Sequence, residues 1–312
     1  MALVWITGAR GFIGRHLAAH LADCGHQVAG IGHGAWAESE ALAWGVRDWI
    51  NGDIHASNLQ ALGRRVGMPK LIFHLAGGSS VGAAIAAPHE DFFRTVASTV
   101  HLMDWIRLES PETLSVVVSS AAVYGAGHNG AIRETAGGSP FSPYGYHKSM
   151  TEQICRSYGA SYGLRTVVAR LFSVYGTGLR KQLLWDFCSK LLCNDGPVQL
   201  GGTGDELRDW VHVRDVVRAL WHIKDLASPE AVAINLGTAK ATSVRQIAEL
   251  VLSNWPSGRE LAFSGKQRPG DPFSLVANCS QLAATGFEWQ VPVATGIRDY
   301  VLWYLKQSGE VA

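Results

Sequence analysis

The chain has 312 residues, room for one large α/β domain or two closely associated ones. It is 47% apolar and 17% charged, which suits a soluble globular protein, and its formal net charge of +1 gives no support for a nucleic-acid or anionic-membrane partner. Its five cysteines (Cys24, Cys155, Cys188, Cys193, Cys279) form no C-x-x-C pair, which argues against a zinc ribbon or disulfide framework and for a reducing, cytoplasmic setting.

Leu3–Thr7 is a short apolar run leading into glycine. It reads as a buried parallel strand and not as a signal peptide, since no basic region precedes it. Residues 12–24 show helical spacing at Ile13, Leu17 and Leu21 and stop at Gly25. Residues 27–31, 71–75 and 114–119 read as further strands, the last rich in valine. Between the latter two, residues 89–109 are long and periodic enough for one helix, closed by Ser110-Pro111. A helix at 145–160 precedes a strand at Thr166–Leu171. This alternation predicts an α/β fold with a Rossmann-like, doubly wound parallel sheet. Beyond Leu171 the segments shorten and Gly, Pro and Trp become frequent, which predicts a smaller irregular C-terminal lobe over the carboxyl edge of the sheet. No apolar run approaches the ~18 residues of a membrane span.

Gly8, Gly11 and Gly14 form a G-x-x-G-x-x-G turn between the first strand and the first helix. The first glycine allows the tight turn, the second lets the backbone approach a pyrophosphate, and the third lets helix and strand pack closely. A dinucleotide is therefore expected on that helix N-terminus, beside Phe12 and Ile13. The second strand runs out as Ile31-Gly32-His33-Gly34, with no acidic residue before Glu38. A missing carboxylate removes repulsion toward a 2′-phosphate, and His33 or Arg10 could contact one, so NADP is favoured slightly over NAD. Asp53-Ile54 reads as an adenine-edge contact, with a helix N-cap as the alternative for Asp53.

Tyr144 and Lys148 stand four residues apart and share one helix face. A nearby ammonium lowers a phenol pKa that is ordinarily near ~10. Such a tyrosine can move protons near neutral pH, as hydride transfer to or from an alcohol requires. Ser119-Ser120-Ala121-Ala122-Val123-Tyr124-Gly125 follows the valine-rich strand, so its hydroxyls lie at the carboxyl edge.

With His74-Leu75-Ala76-Gly77, Ser142-Pro143-Tyr144, Arg170-Leu171-Phe172-Ser173-Val174-Tyr175-Gly176, Arg208-Asp209-Trp210-Val211-His212-Val213 and Arg268-Pro269-Gly270-Asp271, these motifs cover nearly the whole chain. In this order they resemble the extended short-chain dehydrogenase/reductase superfamily, in its branch of NAD(P)-dependent nucleotide-sugar epimerases, dehydratases and reductases. The resemblance implies that Ser120 hydrogen-bonds the reacting oxygen, Tyr144 gives or takes the proton, and Lys148 holds the nicotinamide ribose. It sets Leu75 and Ala76 beside the cofactor, and Ser173, Arg208 and Arg268 on the substrate, the arginines clamping its diphosphate. Arg180-Lys181-Gln182 either approaches the nucleotide or simply starts a charged helix. The expected division is a cofactor-binding domain at 1–172 with a return segment at about 209–238, and a nucleotide-sugar-binding lobe at 173–312.

Three departures from the family pattern matter. Ala121-Ala122 stands where dehydratases carry Asp-Glu, which excludes 4,6-dehydration. Ser173 and Thr95 each stand where an Asn is common. The favoured expectation is a reductase delivering hydride to a 4-keto nucleotide-diphosphate sugar, with an NAD-dependent 4-epimerase as the alternative. A silent nucleotide-binding regulator or scaffold is the less favoured third reading, since it has no need of Ser120, Tyr144 and Lys148 together. The resemblance also implies a homodimer, paired through the helices at 89–109 and 145–160. No metal is expected: His16 and His20 have helical spacing, but no Cys or carboxylate joins them in a ligand pattern. Tyr146 and the tryptophans Trp36, Trp44 and Trp49 are read as packing residues.

Overall fold

The computed structural model describes residues 1–193, 196–266 and 272–309. Its central sheet has seven strands: β1 (Leu3–Thr7), β2 (Gln27–Gly32), β3 (Val46–Asn51), β4 (Leu71–His74), β5 (Leu114–Ser120), β6 (Thr166–Leu171) and β7 (Ala233–Leu236). Their spatial order is β7-β6-β5-β4-β1-β2-β3, and every pairing is parallel. Successive side chains of a strand point to opposite faces, and here both faces are covered. Val4 and Ile6 of β1 enter one core with Leu17 and Leu21, whereas Trp5 enters the other with Ile72 and Trp105. The strand order reverses between β1 and β4, which opens a crevice at their carboxyl ends.

Two strands escaped the sequence reading. β3 is an edge strand interrupted by Arg47 and Asp48, so it carries no clean apolar run. β7 comes from the second half of the chain and pairs with β6. Before it, the Val213–Ile223 helix buries Val213, Val216, Val217 and Leu220 and packs on the Phe12–Asp23 helix. The backbone thus returns to the first sheet after Asp209.

The single helix expected over 89–109 is three pieces: Pro88–Phe92, a π-helical turn at Phe93–Ala97, and Ser98–Glu109. The Ser98 and Thr99 hydroxyls donate to the carbonyls of Arg94 and Thr95, at 2.6 and 2.7 Å. Such side chains compete with the backbone ladder, and the wider turn accommodates them. Asp91, Thr95 and Thr99 lie at successive intervals of four and are all buried.

The remaining segments form a four-stranded sheet and two strand pairs. A third core there gathers Tyr175, Leu184, Phe187, Ile247, Val251, Ile297 and Tyr300. The four-stranded sheet includes Ala131–Ile132, paired with Ser274–Ala277, so the two parts of the chain are interwoven. Asp209 stitches them further: its fully buried carboxylate accepts hydrogen bonds from Thr238 N and Oγ1, Ala239 N and Ala277 N, at 2.7 to 3.2 Å.

Beneath the sheet edge lies a buried ion pair. Arg170 of β6 donates to both Glu152 oxygens, at 2.9 and 2.7 Å, and Ser119 of β5 donates to Glu152 Oε1 at 2.6 Å. Burial pushes the Glu152 carboxyl up, but the hydrogen bonds and charge of Arg170 outweigh it and hold it below its usual value. Replacing Glu152 by Gln leaves a buried guanidinium without its counter-ion, and a loss of about 3–5 kcal/mol is expected in urea denaturation. Because the folded value is depressed, the pair stabilises the protein above the unfolded pKa of ~4.3 and loses that contribution as pH falls through the folded value. The difference between wild type and Glu152→Gln should therefore shrink in acid.

Candidate active site

A cleft of about 1640 Å³ opens over the carboxyl ends of the central strands. Its lining includes Gly8, Gly11, Phe12, Ile13, Gly14, His33, Asp53, Ile54, Leu75, Ala76, Ser120, Tyr144, Lys148, Ser173 and Arg208, so one wall system gathers nearly every residue singled out from the sequence. Arg268 lies outside the described residues.

The glycine turn fits a dinucleotide because side chains would close it. Gly8 has φ +73°, and a Cβ there would stand 2.9 Å from the Ala76 nitrogen; at Gly14 a Cβ would stand 2.3 Å from the Gly8 oxygen. Gly11 precedes the Phe12–Asp23 helix with no side-chain cap, leaving the first amides of that helix for a ligand.

At the far end of β2, His33 Nε2 lies 2.6 Å from Asp53 Oδ1, with both side chains largely exposed. Asp53 does not cap the following helix: His55 occupies that position and makes no side-chain cap bond. The acidic group missing from the end of β2 is thus present there after all, delivered from beyond β3. Arg10 crosses the same end, close enough that a Cβ on Gly34 would meet its Nη1 at 2.5 Å.

Ser120 ends β5, and Ser142 caps the Pro143–Tyr162 helix by accepting from Gly145 N at 3.2 Å. That cap starts the helix where Tyr144 falls in its first turn, facing Ser120. The Ser120 hydroxyl acts on the phenol to lower its pKa. Lys148 is buried, its Nζ donating to the Val118 carbonyl at 3.0 Å and lying 6.0 Å from the Tyr144 ring centroid. Burial pushes the lysine down to about 8, partly opposed by Asp91 and Glu152. The expected lowering of the phenol by Lys148 is not what the chain alone produces. Burial raises the Tyr144 pKa, the Ser120 hydroxyl lowers it by less, and the Asp91 charge raises it further.

The sequence reading missed Asp91, whose carboxylate hydrogen-bonds His147 Nδ1 at 2.6 Å in a buried setting. It also missed the role of His74. The imidazole bridges Thr7 Oγ1 at 2.7 Å and Thr99 Oγ1 at 3.1 Å, joining β1, β4 and the Ser98–Glu109 helix under the cleft. The polar stripe at Asp91, Thr95 and Thr99 was the available signal, since a helix packed on a sheet has no other reason to bury it.

Of Arg180-Lys181-Gln182, Lys181 and Gln182 line the cleft, while Arg180 turns away to Gln307 and to Trp185 and Trp303. Arg208 Nη1 donates to its neighbour's carbonyl, Leu207 O, at 2.8 Å and to Phe273 O at 3.3 Å. Tyr146, expected to pack, is 51% exposed on the outer face of the helix. Trp36 and Trp49 do pack on each other, and Trp44 packs on His16. His16 also bonds the Thr177 carbonyl, and no metal-holding group of His, Cys, Asp and Glu occurs among the described residues.

Burial, helped by the Lys148 charge, pushes His74 down to about 3, so it stays neutral in the folded protein while the unfolded imidazole protonates near ~6.5. The unfolded state then binds more protons between about pH 3 and ~6.5, and stability should climb with pH across that window. In His74→Gln the slope of unfolding free energy against pH should be shallower by close to one proton, measured by denaturant titrations from pH 4 to 7.

Comparison with known proteins agrees with this geometry. Residues 4–237 match the NAD dependent epimerase/dehydratase family. UDP-glucose 4-epimerase of Azospirillum brasilense is 31% identical over 300 residues, covering 89% of this chain and 84% of that protein. UDP-glucose 4-epimerase of Streptomyces lividans is 28% identical over 293 residues, covering 88% of this chain and 87% of that one. Among solved structures, the UDP-glucose 4-epimerase of Thermus thermophilus in complex with NAD superposes with a TM-score of 0.85 at 28% identity, over 97% of this chain and 98% of that chain.

Proposed function

The chain belongs to the NAD dependent epimerase/dehydratase family, and from that premise we propose that it is an NAD-dependent UDP-sugar 4-epimerase. One observation carries the reading: Ser120, Tyr144 and Lys148 meet in a cleft that also contains the glycine turn, in a chain whose similar proteins include UDP-glucose 4-epimerases. The 4-keto reductase favoured from the sequence uses the same three residues, and similarity to 4-epimerases supports its alternative instead. We read the cofactor as NAD, against the slight preference for NADP taken from the sequence. That preference rested on a missing carboxylate, and Asp53, held by His33, places one at this end of the cleft.

When bound, NAD supplies a hydride acceptor that is regenerated within each turnover, and a cationic nicotinamide. The chain supplies the rest. Ser120 and Tyr144 receive the sugar 4-hydroxyl between them, Tyr144 takes its proton, and Ser120 holds the oxygen as the carbonyl forms. Lys148 offers its protons to the nicotinamide ribose and keeps positive charge near the phenol. After the keto sugar has turned over, Tyr144 returns its proton to the C4 oxygen; C4 would be inverted because its other face then meets the hydride that bound NAD would give back. Arg208 and Arg268 are assigned to the diphosphate in this scheme, and Ser173 to the sugar or diphosphate. We assign the cofactor to residues 1–172 with the return segment 209–238, and the nucleotide sugar to 173–312.

The protein should act as a homodimer. Phe93, Tyr146 and Met150 are 56%, 51% and 44% exposed on the two elements expected to pair. Light scattering should give a dimer mass, and Met150→Glu should shift it toward monomer. Isolated protein, once denatured, should release stoichiometric NAD by mass spectrometry. Tyr144→Phe should retain NAD and lose about 10²–10⁴-fold in turnover of UDP-glucose, as expected for removal of a general acid–base group. An empty protein that binds NADPH more tightly than NADH would return the reading to the reductase.

A further inference from the structure

Asp91 and His147 stand apart from the residues the proposed reaction uses, yet both lie against it. Asp91 is 6% exposed and His147 is 9% exposed, with Nδ1 and Oδ2 2.6 Å apart. His147 sits one turn beyond Tyr144 and immediately before Lys148 on the same helix. The other carboxylate oxygen of Asp91 faces Gly78, where a Cβ would overlap it at 1.7 Å. Gly78 is itself tied to Thr95 Oγ1 through its amide at 2.7 Å, and a Cβ on neighbouring Gly77 would stand 3.3 Å from Lys148 Nζ. Asp91 therefore bridges the glycine loop on one side of the cleft and the Tyr144–Lys148 helix on the other. A buried pair of this kind carries a large desolvation penalty and is weak evidence for stability alone.

Few other charges share this space. The Val81–Ala86 helix packed on the same face brings no ionisable side chain. Beside Asp91, His89 stacks against Phe93, and Glu90 is paired with Arg94 at 3.2 Å in an exposed setting. The end of β5 and Ala121–Val123 bring only the hydroxyls of Ser119 and Ser120. On the catalytic helix, Glu152 is held by Arg170. In the Ser98–Glu109 helix, Asp104 is paired with Arg107 at its distal half. The Asp91 carboxylate is thus the negative group that acts on both Tyr144 and Lys148.

We propose that Asp91, clamped by His147 and seated on Gly78, is a positioning residue that fixes the gap between the glycine loop and the catalytic helix and sets the negative potential at the Tyr144 hydroxyl. Its charge opposes phenolate formation. In the NAD-loaded protein the cationic nicotinamide favours phenolate, and Asp91 returns the tyrosine toward the working pH, where a general acid–base group is most effective. This rests on the epimerase reading, but its test does not depend on it alone.

Asp91→Asn and His147→Asn would be prepared as full-length, NAD-loaded protein. The second retains an amide that can donate to Asp91 in place of Nδ1. Tyr144 would be titrated by phenolate absorbance, taking the difference against Tyr144→Phe, beside a pH profile of kcat with UDP-glucose. In Asp91→Asn the phenolate midpoint and the acid limb of kcat should both move down by about half a pH unit or more, with KM within about twofold. His147→Asn should keep the wild-type midpoint, because the carboxylate and its clamp remain. Midpoint and acid limb superimposing on wild type in Asp91→Asn would overturn the proposal, whatever the loss in rate. If Asp91→Asn does not fold, His147→Leu, which releases the clamp on Asp91, decides: a midpoint moved from wild type upholds the proposal and an unmoved one overturns it. A wild type with no turnover of any UDP-sugar defeats the epimerase reading, and the phenolate titration still decides the role of Asp91.

Discussion

The bidentate pair between Arg170 and Glu152 is the constraint from which the site is built. Three elements that share no local sequence meet in it: β6 through Arg170, the Pro143–Tyr162 helix through Glu152, and β5 through Ser119. Glu152 lies one turn beyond Lys148 on that helix, and Ser119 directly precedes Ser120, so the pair fixes the helix carrying Tyr144 against the strand end carrying Ser120. Arg170 has donors to spare. Its Nη1 also donates to the Tyr124 hydroxyl at 2.9 Å and to the Glu134 carbonyl at 2.9 Å. Tyr124 donates its own proton to Asn235 Oδ1 at 2.6 Å, which brings β7 into the same network. Guanidinium suits this task because its planar fork can satisfy a carboxylate and still bond to two further acceptors.

That network ties residues from both sides of position 172 into one buried cluster. Asn235 comes from β7, and its amide reaches the carbonyls of Ile132 and Asn278 at 2.8 and 3.1 Å. Asp209 makes a second seam, holding Thr238, Ala239 and Ala277 around one carboxylate. Burial raises its pKa, and the hydrogen bonds from Thr238, Ala277 and Ala239 offset that only in part. Both seams use buried polar groups that are fully bonded, the condition under which such groups specify a single arrangement instead of merely costing desolvation.

What the sequence disclosed and what it hid follow from the range of the interactions. The glycine turn, the Tyr144–Lys148 spacing and the valine-rich β5 are local patterns, because a positive φ, a helix period or a buried strand needs only its own residues. The α/β alternation was legible for the same reason. β3 was not, since an edge strand half open to solvent tolerates Arg47 and Asp48 in mid-run. Nor was the π-helical turn at Phe93–Ala97, whose cause is a set of hydroxyls that read as ordinary helix residues. The His33–Asp53 and Asp91–His147 pairs join positions 20 and 56 residues apart, and no period reports a contact of that kind.

The least legible quantity was the chemistry of Tyr144 itself. Four-residue spacing from a lysine implies a lowered phenol, but spacing says nothing about what surrounds the pair. Lys148 donates one hydrogen bond to the Val118 carbonyl and is itself pushed down by burial, so its charge is a weaker lever than it would be in the open. The same apolar enclosure that penalises the ammonium penalises the phenolate, and Asp91 adds to the second effect while relieving the first. A site arranged in this way holds its tyrosine protonated until further positive charge arrives. It is therefore poised by the protein and open to switching by what it binds, which is the behaviour the proposed reaction asks of a tyrosine that takes a proton and gives it back.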